Sequence, residues 1–74
     1  MENTAKWEIK YITSRTAGYK TSSSRFAMRF ITAQSAYTIN LTAADAVKLY
    51  QSGNAVLATE PTKRMIAELV KAGN

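Results

Sequence analysis

Three stretches in the first half of the chain carry a large apolar side chain at every second position. They cover residues 6–13, 25–32 and 36–41. A period of two is that of a β-strand with one buried face, and the aromatic and β-branched residues that favour strands dominate all three stretches. The sequence therefore predicts three antiparallel strands that bury a shared face. The side chains assigned to that face are Trp7, Ile9, Tyr11, Phe26, Met28, Phe30, Tyr37, Ile39 and Leu41.

The opposite face of the predicted sheet is basic. Neighbouring strands lie about 4.8 Å apart. Like charges on two paired strands therefore weaken the sheet unless Glu8 or an external anion lies among them. The residues assigned to this face are Lys6, Glu8, Lys10, Arg25, Ala27, Arg29, Thr38 and Asn40.

A change of period after the third stretch predicts two helices. Thr42 is suited to cap the first helix, because its hydroxyl can accept from the backbone N–H of Asp45, and Gly53 can adopt the left-handed conformation that ends a helix. Pro61 is tolerated in the first turn of a second helix, which Gly73 ends. The apolar side chains assigned to the helices are Ala43, Ala46, Val47, Tyr50, Met65, Ile66, Leu69 and Val70.

The four apolar residues 55–58 between the two predicted helices fit either a buried linker or a short fourth strand. The predicted layout is β-β-β-α-α, with three antiparallel strands and two short helices packed on one face of the sheet. This is a single small α+β domain over residues 1–74.

The chain has only 74 residues and contains neither cysteine nor histidine. A domain this short buries only about 60% of the surface that its unfolded chain exposes, and no disulfide or histidine-ligated zinc site can reinforce it. We therefore expect a homodimer, formed through a sheet edge or the second helix, as an additional source of stability.

The composition argues against catalysis. Without histidine or cysteine the chain lacks the usual general base and the thiol nucleophile, and its three glycines are too far apart to form a phosphate-binding loop. We expect that the protein is not an enzyme and that it has no cofactor and no metal site. No stretch approaches 18 apolar residues and the first four residues lack the basic start of a signal peptide, so we expect a cytoplasmic protein that does not bind membranes.

The positive charge is concentrated in the first half of the chain. Residues 1–41 contain six basic and two acidic side chains, a net charge of +4, whereas residues 42–74 contain four and three, a net charge of +1. The segment 14–25, SRTAGYKTSSSR, joins the first two predicted strands and carries three basic residues, seven hydroxyl groups and no acidic residue. Such a segment is suited to contact a polyanion.

These features favour a small non-enzymatic binding module. The first hypothesis is a nucleic-acid-binding protein that uses the basic sheet face and the 14–25 loop, with Tyr19 able to stack on an unpaired base. The alternative is that these residues bind no partner, and that they form a solvent-exposed sheet face and an ordinary polar loop. The residues proposed to contact nucleic acid or an acidic partner are Lys6, Lys10, Arg15, Tyr19, Lys20, Arg25 and Arg29.

The second hypothesis is a module that binds an acidic host protein through the basic face, an unpaired sheet edge or the apolar segment 55–58. In size and layout the chain resembles small accessory proteins of phages and mobile elements, which inhibit or adapt host protein complexes. At the same level it is similar to the DNA-binding domains of phage-type integrases, which pair a three-stranded sheet with a helix. These two resemblances imply a protein partner and a DNA partner respectively.

Overall fold

A computed structural model describes residues 5–15, 22–32 and 35–73. The chain forms a four-stranded sheet with two helices. The elements in chain order are β1 Trp7–Arg15, β2 Ser22–Phe30, β3 Ile39–Leu41, α1 Ala43–Gln51, β4 Ala55–Leu57 and α2 Glu60–Gly73. In the sheet the strand order is β3-β2-β1-β4. Strand β2 pairs antiparallel with β1 and with β3, and β4 pairs parallel with β1.

The central hairpin confirms the predicted alternation. The register pairs Trp7 with Phe30, Ile9 with Met28, and Tyr11 with Phe26, so these apolar residues share one face. Both strands are longer at the hairpin end than the sequence pattern predicts, and they extend to residues 15 and 22. Both ends of the predicted loop 14–25 therefore belong to strands, because residues 14–15 are part of β1 and residues 22–25 are part of β2.

The segment left open as a linker or a strand is β4. The Asn54 carbonyl accepts from the N–H groups of Lys6 and Trp7, and the N–H of Ala58 donates to the Ile9 carbonyl. These bonds satisfy backbone groups of β1 that would otherwise be unpaired on that side. The sheet is consequently mixed, and the order of elements is β-β-β-α-β-α rather than β-β-β-α-α.

The hydrophobic core lies between the helices and one face of the sheet. Its buried members come from both layers, and Ile9 and Ile66 are its largest fully buried apolar side chains. Half-buried side chains, among them Trp7, Val47 and Leu69, pack around it. The buried members of the cluster are Ile9, Phe26, Ala46, Ala55 and Ile66.

The helices leave part of the apolar face uncovered. Phe30 is 51% exposed and stacks on Trp7 with ring centroids 4.0 Å apart, while Ile39 is 41% exposed. Tyr50, which the helical pattern assigns to the core, is also 41% exposed. One helix of nine residues and one of 14 are too short to cover every large side chain of a four-stranded sheet.

The predicted start and end of the first helix are confirmed. The Thr42 hydroxyl accepts from the N–H of Asp45 at 3.1 Å, and Gly53 has a φ of 82°, the left-handed conformation that glycine adopts without a steric penalty. Helix α1 covers 43–51, and α2 begins at Glu60 and includes Gly73, the last described residue. No helix in the described part of the chain is long and apolar enough to cross a membrane.

Candidate nucleic-acid interface

The hairpin of β1 and β2 continues beyond the rest of the sheet. The two strands pair over nine residues, but β3 pairs only with Phe26–Met28 and β4 only with Trp7–Ile9. Residues Ile12–Arg15 and Ser22–Arg25 therefore form a two-stranded ribbon, which no other described strand joins. At about 3.3 Å per residue the ribbon is about 13 Å long.

The ribbon and the segment that joins its strands carry positive charge alone. Residues 12–25 include Arg15, Lys20 and Arg25 and no acidic residue. Arg15 is in register with Ser22, whereas Tyr19 and Lys20 lie outside the described residues. Two of the predicted contact residues, Arg15 and Arg25, are thus on the ribbon itself.

Arg25 is exposed on the face of the sheet opposite the helices, which we call the outer face. Its Nη1 donates to Oδ1 of Asn40 on β3. A neutral amide leaves the guanidinium charge unneutralised, so Arg25 is oriented and still available to an anion. Lys10 is in register with Ala27 and is therefore the diagonal neighbour of Arg25 on this face.

Arg29, by contrast, is held by groups of the protein. Its Nε and Nη2 both lie 3.0 Å from Oε1 of Glu8, and its Nη1 donates to the Ser35 carbonyl at 3.1 Å. The sequence allowed either Glu8 or an external anion to relieve the repulsion on this face. In the structure the Glu8 carboxylate takes that position beside Arg29.

Tyr37 covers the same region of the outer face. Its hydroxyl donates to Oε1 of Glu8, and its ring lies 4.8 Å from Cζ of Arg29 and 5.5 Å from Nζ of Lys10, as in cation–π pairs. Lys10 is in register with Ala27, and Arg29 is two residues from Ala27 on the same face. The residues that meet at Tyr37 therefore flank Ala27, which is fully buried.

The prediction that Tyr37 lies on the apolar face is wrong. Strand β3 begins at Ile39, so the alternation of Ile39 and Leu41 does not continue back to Tyr37, and the preceding segment crosses to the outer face. The sequence contains one sign of this arrangement. Glu8 is the only carboxylate among the basic positions of that face, and an isolated carboxylate there attracts both an arginine and a hydroxyl donor.

The cluster of Glu8, Arg29 and Tyr37 has defined protonation states at neutral pH. The hydrogen bond from Tyr37, together with the Arg29 guanidinium, lowers the pKa of Glu8 against the opposing effect of burial. Burial first, and then the Glu8 carboxylate, raises the pKa of Tyr37. Glu8 is therefore charged and Tyr37 is neutral, and the cluster fixes the 35–38 segment on the sheet.

Lys6 lies at the other end of β1 from the ribbon. It is exposed, and nine residues of extended strand separate it from Arg15, which is about 30 Å. The seven predicted contact residues therefore do not form one patch. Arg15 and Arg25 are on the ribbon, Lys10 and Arg29 flank Tyr37, Lys6 is remote, and Tyr19 and Lys20 lie outside the described residues.

Comparisons of the chain with models of protein families, with curated proteins and with solved structures found no match. The function is therefore inferred from the residues of this chain and their geometry.

Proposed function

We propose that this protein binds duplex DNA and is not an enzyme, and that the ribbon of β1 and β2 enters the major groove. The observation that supports the proposal most strongly is the ribbon itself, a paired extension of the sheet with basic residues and no acidic residue. Its hydroxyl-rich sequence, including Ser22, Ser23 and Ser24, adds donors suited to phosphate oxygens.

The dimensions of the ribbon favour duplex DNA over duplex RNA. The major groove of B-form DNA is about 12 Å wide and admits a two-stranded β-ribbon. The major groove of A-form RNA is too narrow for protein side chains to read. Two strands about 4.8 Å apart, with side chains on both faces, suit the wider groove.

The basic residues have different roles in this proposal. Arg15, Lys20 and Arg25 contact phosphates, and Lys10 adds charge beside Arg25. Arg29 acts indirectly, because its guanidinium bonds to Glu8 and Ser35 and keeps Tyr37 on the outer face. This differs from the expectation for the sequence alone, in which Arg29 contacts the ligand directly.

Fluorescence anisotropy tests the proposal with labelled duplex DNA, duplex RNA and single-stranded DNA, each titrated with the protein at several salt concentrations. Each phosphate neutralised on duplex DNA contributes about 0.9 to the slope of log affinity against log salt, so three contacts predict a slope of roughly −2.7. We expect duplex DNA to bind more tightly than duplex RNA. Absence of DNA binding at low salt, or equal affinity for both duplexes, would contradict the proposal.

A matched pair of variants separates the ribbon from general charge attraction. Arg25→Ala removes one exposed charge from the ribbon, and Lys48→Ala removes one from α1, on the other side of the sheet. We expect Arg25→Ala to reduce the salt slope by about 0.9 and Lys48→Ala to leave the slope unchanged. Equal losses in the two variants would mean that net charge, and not the ribbon, attracts the DNA.

A further inference from the structure

Strand β4 leaves one edge of the sheet open. It is the last strand in the order and, among the described residues, pairs only with β1. Asn54 and Ala58 bond toward β1, and backbone groups alternate sides along a strand. The N–H and C=O groups of Ala55 and Leu57 therefore face away from β1, where another chain can pair with them.

An open groove of about 700 Å³ runs along this edge. Ala55, Val56 and Leu57 line it from the sheet, and Ile66, Ala67 and Val70 line it from α2. Successive side chains of a strand point to opposite faces. The three successive lining residues place part of the groove at the backbone of β4.

The rim of the groove is basic. Lys63 and Lys71 both line it, and eight residues of helix separate them by about 12 Å. Lys63 is 3.3 Å from Glu60, but both side chains are more than half exposed, so that pair is weak. Lys71 forms no salt bridge within the described part of the chain. An occupant of this groove gains from apolar side chains in the middle and carboxylates at the two ends.

We propose that the groove binds an extended segment of an acidic partner protein, which adds to β4 as a fifth strand. Main-chain hydrogen bonds to Ala55 and Leu57 provide affinity, and the side chains of alternate residues provide specificity. Residues i and i+4 of a strand lie on one side, about 13 Å apart, which matches the separation of the two lysines. The preferred segment has acidic residues at i and i+4 and an apolar residue at i+2.

Charge disfavours a second copy of the chain as the occupant. In a symmetric pairing of two β4 edges, both copies bring Lys63 and Lys71 to the same junction. The chain also has a net charge of +5, so the pairing sets like charges together. An acidic partner meets no such repulsion.

Nuclear magnetic resonance tests the groove with the peptide TETVTET and the charge-reversed peptide TKTVTKT. We expect the acidic peptide to slow hydrogen exchange at the amides of Ala55 and Leu57, because these become hydrogen-bonded to the added strand. We expect the lysine peptide to leave both amides unchanged. If the acidic peptide binds without protecting these amides, or fails to bind up to millimolar concentration, the proposal is wrong.

Two variants of α2 provide a matched control. Ala67→Glu places a carboxylate in the groove, while Ala72→Glu places one on the same helix, about 140° around the axis from residue 67. Both positions are exposed, so we expect both variants to fold. We expect Ala67→Glu to weaken peptide binding about tenfold or more by like-charge repulsion and Ala72→Glu to change it by less than about twofold.

Sedimentation distinguishes a second copy from a foreign partner. A dimer of the wild-type protein whose dissociation constant Ala67→Glu changes and Ala72→Glu leaves unchanged would assign the groove to self-association and overturn the proposal. We expect the wild-type protein to show no such dimer. Both variants keep the ribbon, so their DNA binding reports on the proposed function separately.

Discussion

At the scale of single residues, Glu8 organises the outer face of the sheet. It receives hydrogen bonds from Arg29 and Tyr37 at once, and the resulting cluster fixes the 35–38 segment. A cluster of charged and hydroxyl groups is stable only when each partner is satisfied. Here the carboxylate is shared between a cation and a neutral donor, which explains its lowered pKa.

We expect the cluster around Glu8 to make the free energy of unfolding depend on pH in the acid range. Folding lowers the pKa of Glu8 below the ordinary value of 4.5. The contribution of the Glu8 carboxylate to the free energy of unfolding is therefore fully present above pH 4.5 and is lost as the pH falls through the folded-state pKa. Glu8→Gln removes the charge but keeps an acceptor of similar shape. Urea unfolding at pH 7 should show the wild type to be more stable than Glu8→Gln, with the difference shrinking at acid pH.

A difference in the free energy of unfolding between the wild type and Glu8→Gln that stays constant from pH 7 to acid pH would contradict this account. Glu60→Gln is a suitable control, because the Glu60 carboxylate is largely exposed and, within the residues that the structure describes, forms a salt bridge with Lys63 alone. An exposed pair contributes between about 0 and 1 kcal/mol. We therefore expect Glu60→Gln to follow the acid dependence of the wild type.

At the scale of elements, one buried threonine connects α2 to the sheet. Where β4 ends, the N–H of Tyr11 has no further strand to bond, and it donates to Oγ1 of Thr62 at 2.9 Å. The Thr62 hydroxyl also lies 2.7 Å from Oγ1 of Thr59, which caps the helix. Thr62 is fully buried, and its hydroxyl continues the hydrogen bonding of the strand.

We expect Thr62→Val to destabilise the protein by about 1–3 kcal/mol, because the partly buried N–H of Tyr11 loses its acceptor. Thr62→Ser keeps the hydroxyl and loses one methyl group, which contributes about 0.8 kcal/mol. Native-state hydrogen exchange separates the two effects. The Tyr11 amide should lose protection in the valine variant and keep it in the serine variant, and equal protection in both would contradict the assigned role.

At the scale of the whole molecule, the core and the ribbon are separate parts. The hydrophobic cluster and the side chains packed on it include no described residue from 13–24. Stability therefore depends on the four-stranded region and α1 and α2. The proposed DNA contacts are concentrated in a segment that the core does not need.

We expect the ribbon to be removable without loss of the fold. Ile31 donates to the Lys6 carbonyl, so the even-numbered residues of β1 face β2, and Ile12 and Arg25 form a hydrogen-bonded pair. Replacing residues 13–24 with Asn-Gly closes that pair with a type I′ turn. Urea unfolding should change by less than about 1 kcal/mol, since no core contact is removed.

The same variant should lose most of the duplex DNA binding, because Arg15 and Lys20 are removed. Retained DNA affinity in a folded variant would show that the ribbon is not the binding element. If the shortened protein is instead unfolded, the separation of core and ribbon is wrong. Circular dichroism and the anisotropy titration together distinguish these outcomes.

Local patterns were sufficient to predict much of this fold. The alternation around Ile9 and Met28 predicts the central hairpin, and Thr42, Gly53 and Pro61 predict where the helices begin and end, because caps and φ angles depend on a few neighbouring residues. The basic character of the outer face and of segment 14–25 is likewise a property of the sequence. Those parts of the candidate interface could be predicted from the residues alone.

Only the tertiary structure determined which partners those residues meet. Residues 55–57 form a strand because β1 had an unpaired side, and Tyr37 lies on the outer face because Glu8 and Arg29 lie there in register. Tyr37 and Glu8 are 29 positions apart, and Ala55 and Trp7 are 48 positions apart, separations that no local periodicity encodes. Strand order, the open edge of β4 and the division between free and paired arginines follow from such long-range pairing, and so does the groove beside α2.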